Sequence, residues 1–105
     1  MLGELEQVVL LAALRVGDDA YGVPIAHEIA RRTGREPSLA TVHKTLARLE
    51  DKGYVTSRMG EPTPTRGGRR RRHFAVTPAG RQAVRASIAA LRRLASGLSV
   101  GWDTP

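Results

Sequence analysis

Arg66-Gly-Gly-Arg-Arg-Arg-Arg-His-Phe-Ala-Val-Thr-Pro78 is the stretch on which the reading of the fold turns. Five arginines crowd its first seven residues around two glycines, and a strand-forming run at 73–76 follows directly. A second such run lies upstream at 54–59, and the segment between them is rich in Pro and Gly. Two short runs joined in this way form a hairpin, whose second strand can reach back to Arg70. A guanidinium is always charged and can donate two hydrogen bonds to one phosphate. A glycine-pivoted arginine loop between paired strands is therefore suited to holding a polyanion. Thr77-Pro78 then supplies an N-cap and a first-turn proline for a further helix.

Upstream of the hairpin, residues 38–52 read as an amphipathic helix capped by Ser38. Leu39, Val42, Leu46 and Leu49 recur at helical spacing and are expected to point inward. At about 100° per residue, the opposite side carries Ala40, Thr41, Lys44, Ala47, Arg48 and Asp51. Thr45 and Lys52 lie on one flank and His43 on the other. Small residues between the cations let such a face approach base edges closely. A helix followed by a basic hairpin is the order of a winged helix-turn-helix, so double-stranded DNA is the first partner indicated.

Two helices are expected before it. Glu4–Val16 carries Leu5, Val8, Val9, Leu11, Ala12 and Leu14 on more than one stripe. That is the pattern of a helix buried on two sides, against its own domain and against a second helix. Gly17-Asp18-Asp19 interrupts it. Gly22–Thr33 follows, with Val23, Ile25, Ala26, Ile29 and Ala30 for its buried side, Pro24 tolerated in its first turn and Gly34 at C′. After the hairpin, a helix over 78–96 places Val84, Ile88, Leu91, Ala95 and Leu98 at alternating spacings of four and three, and Leu94 widens the stripe. This is the seam of a helix lying along another helix. The head has apolar faces enough to close its own core, so the seam indicates a homodimer. The fold class is mainly α with a small β-hairpin. Residues 1–77 form a winged helix-turn-helix and 78–105 a C-terminal dimerisation helix and tail.

The charge distribution agrees. Residues 1–52 hold seven Lys/Arg and eight Asp/Glu, a net of −1, whereas 53–105 hold ten Arg and two acids, a net of +8. One strongly positive region on a neutral scaffold is the footprint of a nucleic-acid binder. The chain has no cysteine, which excludes disulfides and thiolate metal sites. Its longest apolar run, 8–14, is too short to span a bilayer, and no signal-peptide cleavage pattern follows it. A cytoplasmic location is expected, with no membrane partner.

Three blocks carry a family likeness: Ala20-Tyr-Gly-Val-Pro-Ile25, the segment 39–55, and 66–80. In this order and spacing they resemble the PadR family of winged-helix transcriptional regulators, mostly repressors, over about residues 2–98. The resemblance implies a homodimer whose C-terminal helix packs on the first helix of its mate. It also implies a recognition helix at 38–52 and a wing at 60–72. Many relatives have tyrosine where this chain has His43, and a tyrosine pair where it has His73-Phe74. Some admit flat aromatic drugs to the dimer cleft beside a tryptophan on the last helix. Here the only tryptophan, Trp102, follows Gly97 and Gly101 and is expected in a tail. A small-molecule effector thus rests on the resemblance alone.

Residue roles follow from both readings. Thr41, Lys44, Thr45 and Arg48, with Ser38 and His43 beside them, are the candidates for base-edge and nearby phosphate contacts. Tyr21 and the start of the second helix are candidates for backbone contact. Arg66, Arg69, Arg70, Arg71 and Arg72 would hold phosphates or enter a minor groove, adding affinity more than sequence preference. Leu5 and Val9, with Val84, Ile88, Leu91, Ala95 and Leu98, are the candidates for the dimer contact. The rival readings are a basic RNA-binding module and a non-specific chromosome-architecture protein. Tyr21, Tyr54, Phe74 and Trp102 are the only aromatic residues, and no strand has the stacking platform of a single-stranded RNA reader. An enzyme is a poorer fit. His27, His43 and His73 lie far apart without metal-ligand spacing, Asp18-Asp19 and Glu50-Asp51 suit helix ends, and no cofactor is indicated.

Overall fold

A computed structural model describes residues 2–61 and 70–98; Arg66, Arg69 and Trp102 lie outside the described residues. Helix α1 runs over Glu4–Val16, and a short 3-10 turn at Gly17–Asp19 leads into α2, Gly22–Thr33. Helix α3 covers Leu39–Asp51, the strands β1 and β2 cover Val55–Met59 and Arg72–Val76, and α4 covers Pro78–Ala95. The expected helices are therefore present within a residue at either end. The strands are shorter than expected: Tyr54 stands before β1, and Arg70 and Arg71 before β2.

Local chemistry explains the boundaries. The Ser38 hydroxyl accepts the N–H of Thr41, and that of Thr77 accepts the N–H of Gly80, so both caps work as their residue types require. Gly34 ends α2 at φ 76° and Gly53 follows α3 at φ 80°, a left-handed backbone that costs glycine nothing. β1 and β2 pair antiparallel, with Val55 opposite Val76 and Met59 opposite Arg72. The N–H of Phe74 also donates to the carbonyl of Ala20 at 2.8 Å, so the loop before α2 is stitched to the hairpin's free edge.

One core unites these elements. Val9 and Leu10 of α1, Ile25 of α2, Val42, Leu46 and Leu49 of α3 and Val55 of β1 are essentially inaccessible, with Phe74 and Val84 closing the periphery. Helix α4 enters at Gly80, where an added Cβ would strike the carbonyl oxygen of Tyr54. That close approach docks the first turns of α4 on the hairpin. The Ser87 hydroxyl then accepts the N–H of Leu2 at 3.0 Å, tying the chain's start to the middle of α4.

Burial corrects several expectations. Val9 and Val84, assigned to the dimer seam, are buried within this chain's own core. They lie where α1 and α4 already meet other elements of the same domain. Leu5 and Ile88 pack partly on that core, while Leu91, Leu94 and Leu98 are exposed. Helix α4 is thus bound along its first half and bare along its second. Leu39 and Val23, expected inward, are 44% and 41% exposed; Leu39 sits in the first turn of α3, where Ser38 and Ala40 are exposed as well.

Candidate nucleic-acid interface

Helix α3 lies against α1 and α2 through Val42, Leu46 and Leu49, which leaves Ala40, Lys44 and Ala47 exposed along its outer side. The two flanks meet different neighbours. On one, the ring of His43 lies over Gly22 so closely that any side chain there would collide with it. Gly22 therefore admits a side chain of α3 to the start of α2. On the other flank, Thr45 is fully buried and its hydroxyl donates to the carbonyl of Thr41 at 2.8 Å. Thr45 consequently leaves the set of expected DNA contacts: it faces the core, and its one donor is engaged. Ser38 and Thr41 stay at the surface, but the Ser38 hydroxyl donates to that of Thr41 at 2.8 Å, so they act first as a helix-cap pair.

Arg48 and Lys52 share a partner that the sequence did not reveal. Glu6, in the first turn of α1, is buried. Its Oε2 accepts from Lys52 Nζ at 2.7 Å and stands 3.8 Å from Arg48 Nε. Its Oε1 accepts the backbone N–H of Gly3 at 3.0 Å. The Lys52 hydrogen bond first, and the Gly3 N–H next, hold the Glu6 carboxyl below its ordinary range, against the opposing effect of burial. Arg48 keeps 57% of its side chain exposed, so it is oriented yet accessible. Glycine followed three residues later by glutamate is a faint capping pattern, and it was the only available signal for Glu6.

The hairpin brings its cations to the same side. Arg70, Arg71 and Arg72 are exposed, and Arg72 donates to the Ser57 hydroxyl at 3.0 Å. Ser57 in turn donates to Glu50 of α3 at 2.7 Å. Arg71 stacks over the Tyr21 ring, its Cζ 4.7 Å from the centroid, and His73 meets the same ring edge-on at 5.5 Å. Tyr21 occupies the N-cap position of α2 without giving it a side-chain cap. The base of the wing is thereby locked both to α2 and to α3. Of the expected contacts, Tyr21, His43, Arg71 and Arg72 join these elements to one another, and Lys44, Arg48 and Arg70 are exposed. His27 is exposed on α2 and apart from them. Among the described residues, no three His, Cys, Asp or Glu side chains gather to hold a metal ion, and no helix is long and apolar enough to cross a membrane.

The fold has counterparts. The model of the transcriptional regulator PadR-like family matches residues 10–86. A transcriptional regulator from Clostridium thermocellum superposes with a TM-score of 0.72 at 24% identity, covering 87% of this chain and 85% of that one. A PadR family transcriptional regulator from Eggerthella lenta gives 0.69 at 24% identity, covering 90% and 81%. Bacillus subtilis PadR in complex with operator DNA gives 0.67 at 19% identity, covering 90% of this chain and 60% of that one. At these identities the likeness establishes the fold. Among curated proteins, none matches the sequence.

Proposed function

Since the chain belongs to the transcriptional regulator PadR-like family, we propose that it binds double-stranded DNA in the cytoplasm as a homodimeric repressor. The observation that carries this reading is the convergence of α3, the N-terminus of α2 and the arginine-bearing hairpin on one side of the domain. Lys44 and Arg48 read base edges from α3, with Thr41 and His43 at its margins. Arg70, Arg71 and Arg72, together with Arg66 and Arg69 farther along the wing, grip phosphates. A bidentate Arg–guanine contact discriminates by about 1–3 kcal/mol, whereas a phosphate contact carries no sequence information. That Bacillus subtilis PadR was solved in complex with operator DNA supports a DNA-binding role.

The dimer uses the bare half of α4. Leu91 and Leu94 of α4 are 45% and 72% exposed, and Leu98, just beyond its end at Ala95, is 54% exposed. Exposed leucines of this kind, closing a helix already half covered, are suited to a second helix. Two α3 helices would then enter successive major grooves about 34 Å apart, and occupation of a promoter would exclude polymerase. Residues 1–77 would read DNA and 78–105 would join the copies.

Enrichment of random duplexes with the purified protein tests the reading directly. The expected product is a two-fold-symmetric consensus, bound by a species that elutes as a dimer. Enrichment without a consensus would favour an architectural role, and preferential loss of the duplex to competitor RNA would overturn the proposal.

A further inference from the structure

We propose that Glu6 is a positioning residue of the recognition surface: from α1 it fixes the pose of Arg48 and so sets sequence preference without touching DNA. The inference rests on the DNA-reading role of α3 proposed above. It starts from an oddity of placement. A buried carboxylate is costly unless it is paired, and Glu6 takes its cationic neighbours from α3 and the residue that caps its end, Arg48 and Lys52, one turn apart.

The two cations are held unequally. Lys52 is in direct hydrogen-bond contact at 2.7 Å, whereas Arg48 Nε stands at 3.8 Å from the same oxygen. Lys52 and the Gly3 N–H together fix the carboxylate from two sides. The fixed charge then draws the Nε edge of the Arg48 guanidinium toward α1. The amino ends of the fork are left for the groove. An arginine on an open helix face samples many rotamers, and a bidentate contact requires one of them. Restricting that choice before binding favours the contact that needs it, and leaves non-directional phosphate attraction little changed. Helix α1 is a suitable base for such a brace, because Val9 and Leu10, within a turn of Glu6, are the most deeply buried residues of the helix.

Glu6→Gln keeps the size and the acceptor for Gly3 but removes the charge that orients Arg48. Wild type, Glu6→Gln, Arg48→Ala and the double variant are each titrated against the duplex enriched by wild type and against every single-base variant of it. Circular dichroism at the assay temperature checks that each is folded. Glu6→Gln is expected to lower discrimination about tenfold at one base pair per half-site. That base pair is the one affected by Arg48→Ala, and the double variant should lose nothing beyond Arg48→Ala. If Glu6→Gln fails to fold, Glu6→Asp, which keeps the charge but withdraws it from Arg48, is expected to give the same positional loss. Unchanged discrimination, a loss spread evenly over all positions, or a further loss in the Arg48→Ala background would each overturn the proposal. A wild-type protein that prefers no sequence would instead overturn the DNA-reading role itself.

Discussion

Helix α3 and the base of the hairpin both carry cations, yet they hold their charges in opposite ways. Around α3, the three cations Lys44, Arg48 and Lys52 are matched in number by three acids, the buried Glu6 of α1 and the helix's own Glu50 and Asp51. In the hairpin, Arg72 of β2 and Arg70 and Arg71 just before it are exposed, and the strand contributes no acid of its own. A balanced face gains little from a phosphate backbone and much from a matched base edge. An unbalanced one gains from any duplex. On the proposed function, the difference would separate reading, on α3, from gripping, at the hairpin.

That separation can be broken from the wing first. Replacing Arg70 and Arg71 with alanine is expected to weaken binding to every duplex alike, by about a hundredfold at moderate salt. The salt dependence of log K should flatten by about 2 for two lost phosphate contacts. Fluorescence anisotropy across a salt series measures both, and an undiminished slope would show that these arginines do not touch phosphate. Next in size, Lys44→Ala should cost about 1–2 kcal/mol on the enriched duplex and much less on scrambled DNA. Equal losses on both would place Lys44 among the gripping residues.

Smaller effects sharpen the contrast. The pKa of Glu6 is lowered in the folded protein, so its stabilisation is fully present above the ordinary value of 4.5 and is lost as pH falls through the depressed folded value. Urea midpoints should show wild type about 1–2 kcal/mol above Glu6→Gln near neutral pH, the gap closing in acid. A gap that persists there would assign the effect to packing. Smallest of all, Gly22→Ala should change stability by less than about 1 kcal/mol, since the ring of His43 can swing aside and alanine favours the helix. Its effect on operator affinity, about threefold, would report the worth of the displaced His43 contact.

What could be read from the sequence was whatever the chain decides locally. Ser38, Gly34 and Thr77-Pro78 mark helix ends through hydrogen bonds or φ values confined to a few residues, and α2, α3 and α4 begin or end where they indicate. Helical spacing also identified Val42, Leu46 and Leu49 as core. It could not say which neighbour each stripe would meet, so Val9 and Val84 were assigned to a second copy instead of their own domain. Nor does spacing register how exposed a helix's first turn will be, which is why Leu39 was expected inside. Thr45 lies at the edge of the inward arc, and a hydroxyl that satisfies itself on the preceding turn makes burial cheap there. The link from Glu6 to Lys52 joins residues 46 positions apart, and no local pattern announces it.

The chain of contacts from Arg72 through Ser57 to Glu50 carries a lesson for anyone assembling hybrids from such regulators. Exchange of the third helix alone, without a carboxylate at the Glu50 position, would leave the serine hydroxyl without its acceptor and loosen the arginine above it. A transplanted hairpin lacking Ser57 would strand Glu50 in the same way. The two pieces form one cassette, and specificity is best swapped by moving residues 38–76 together.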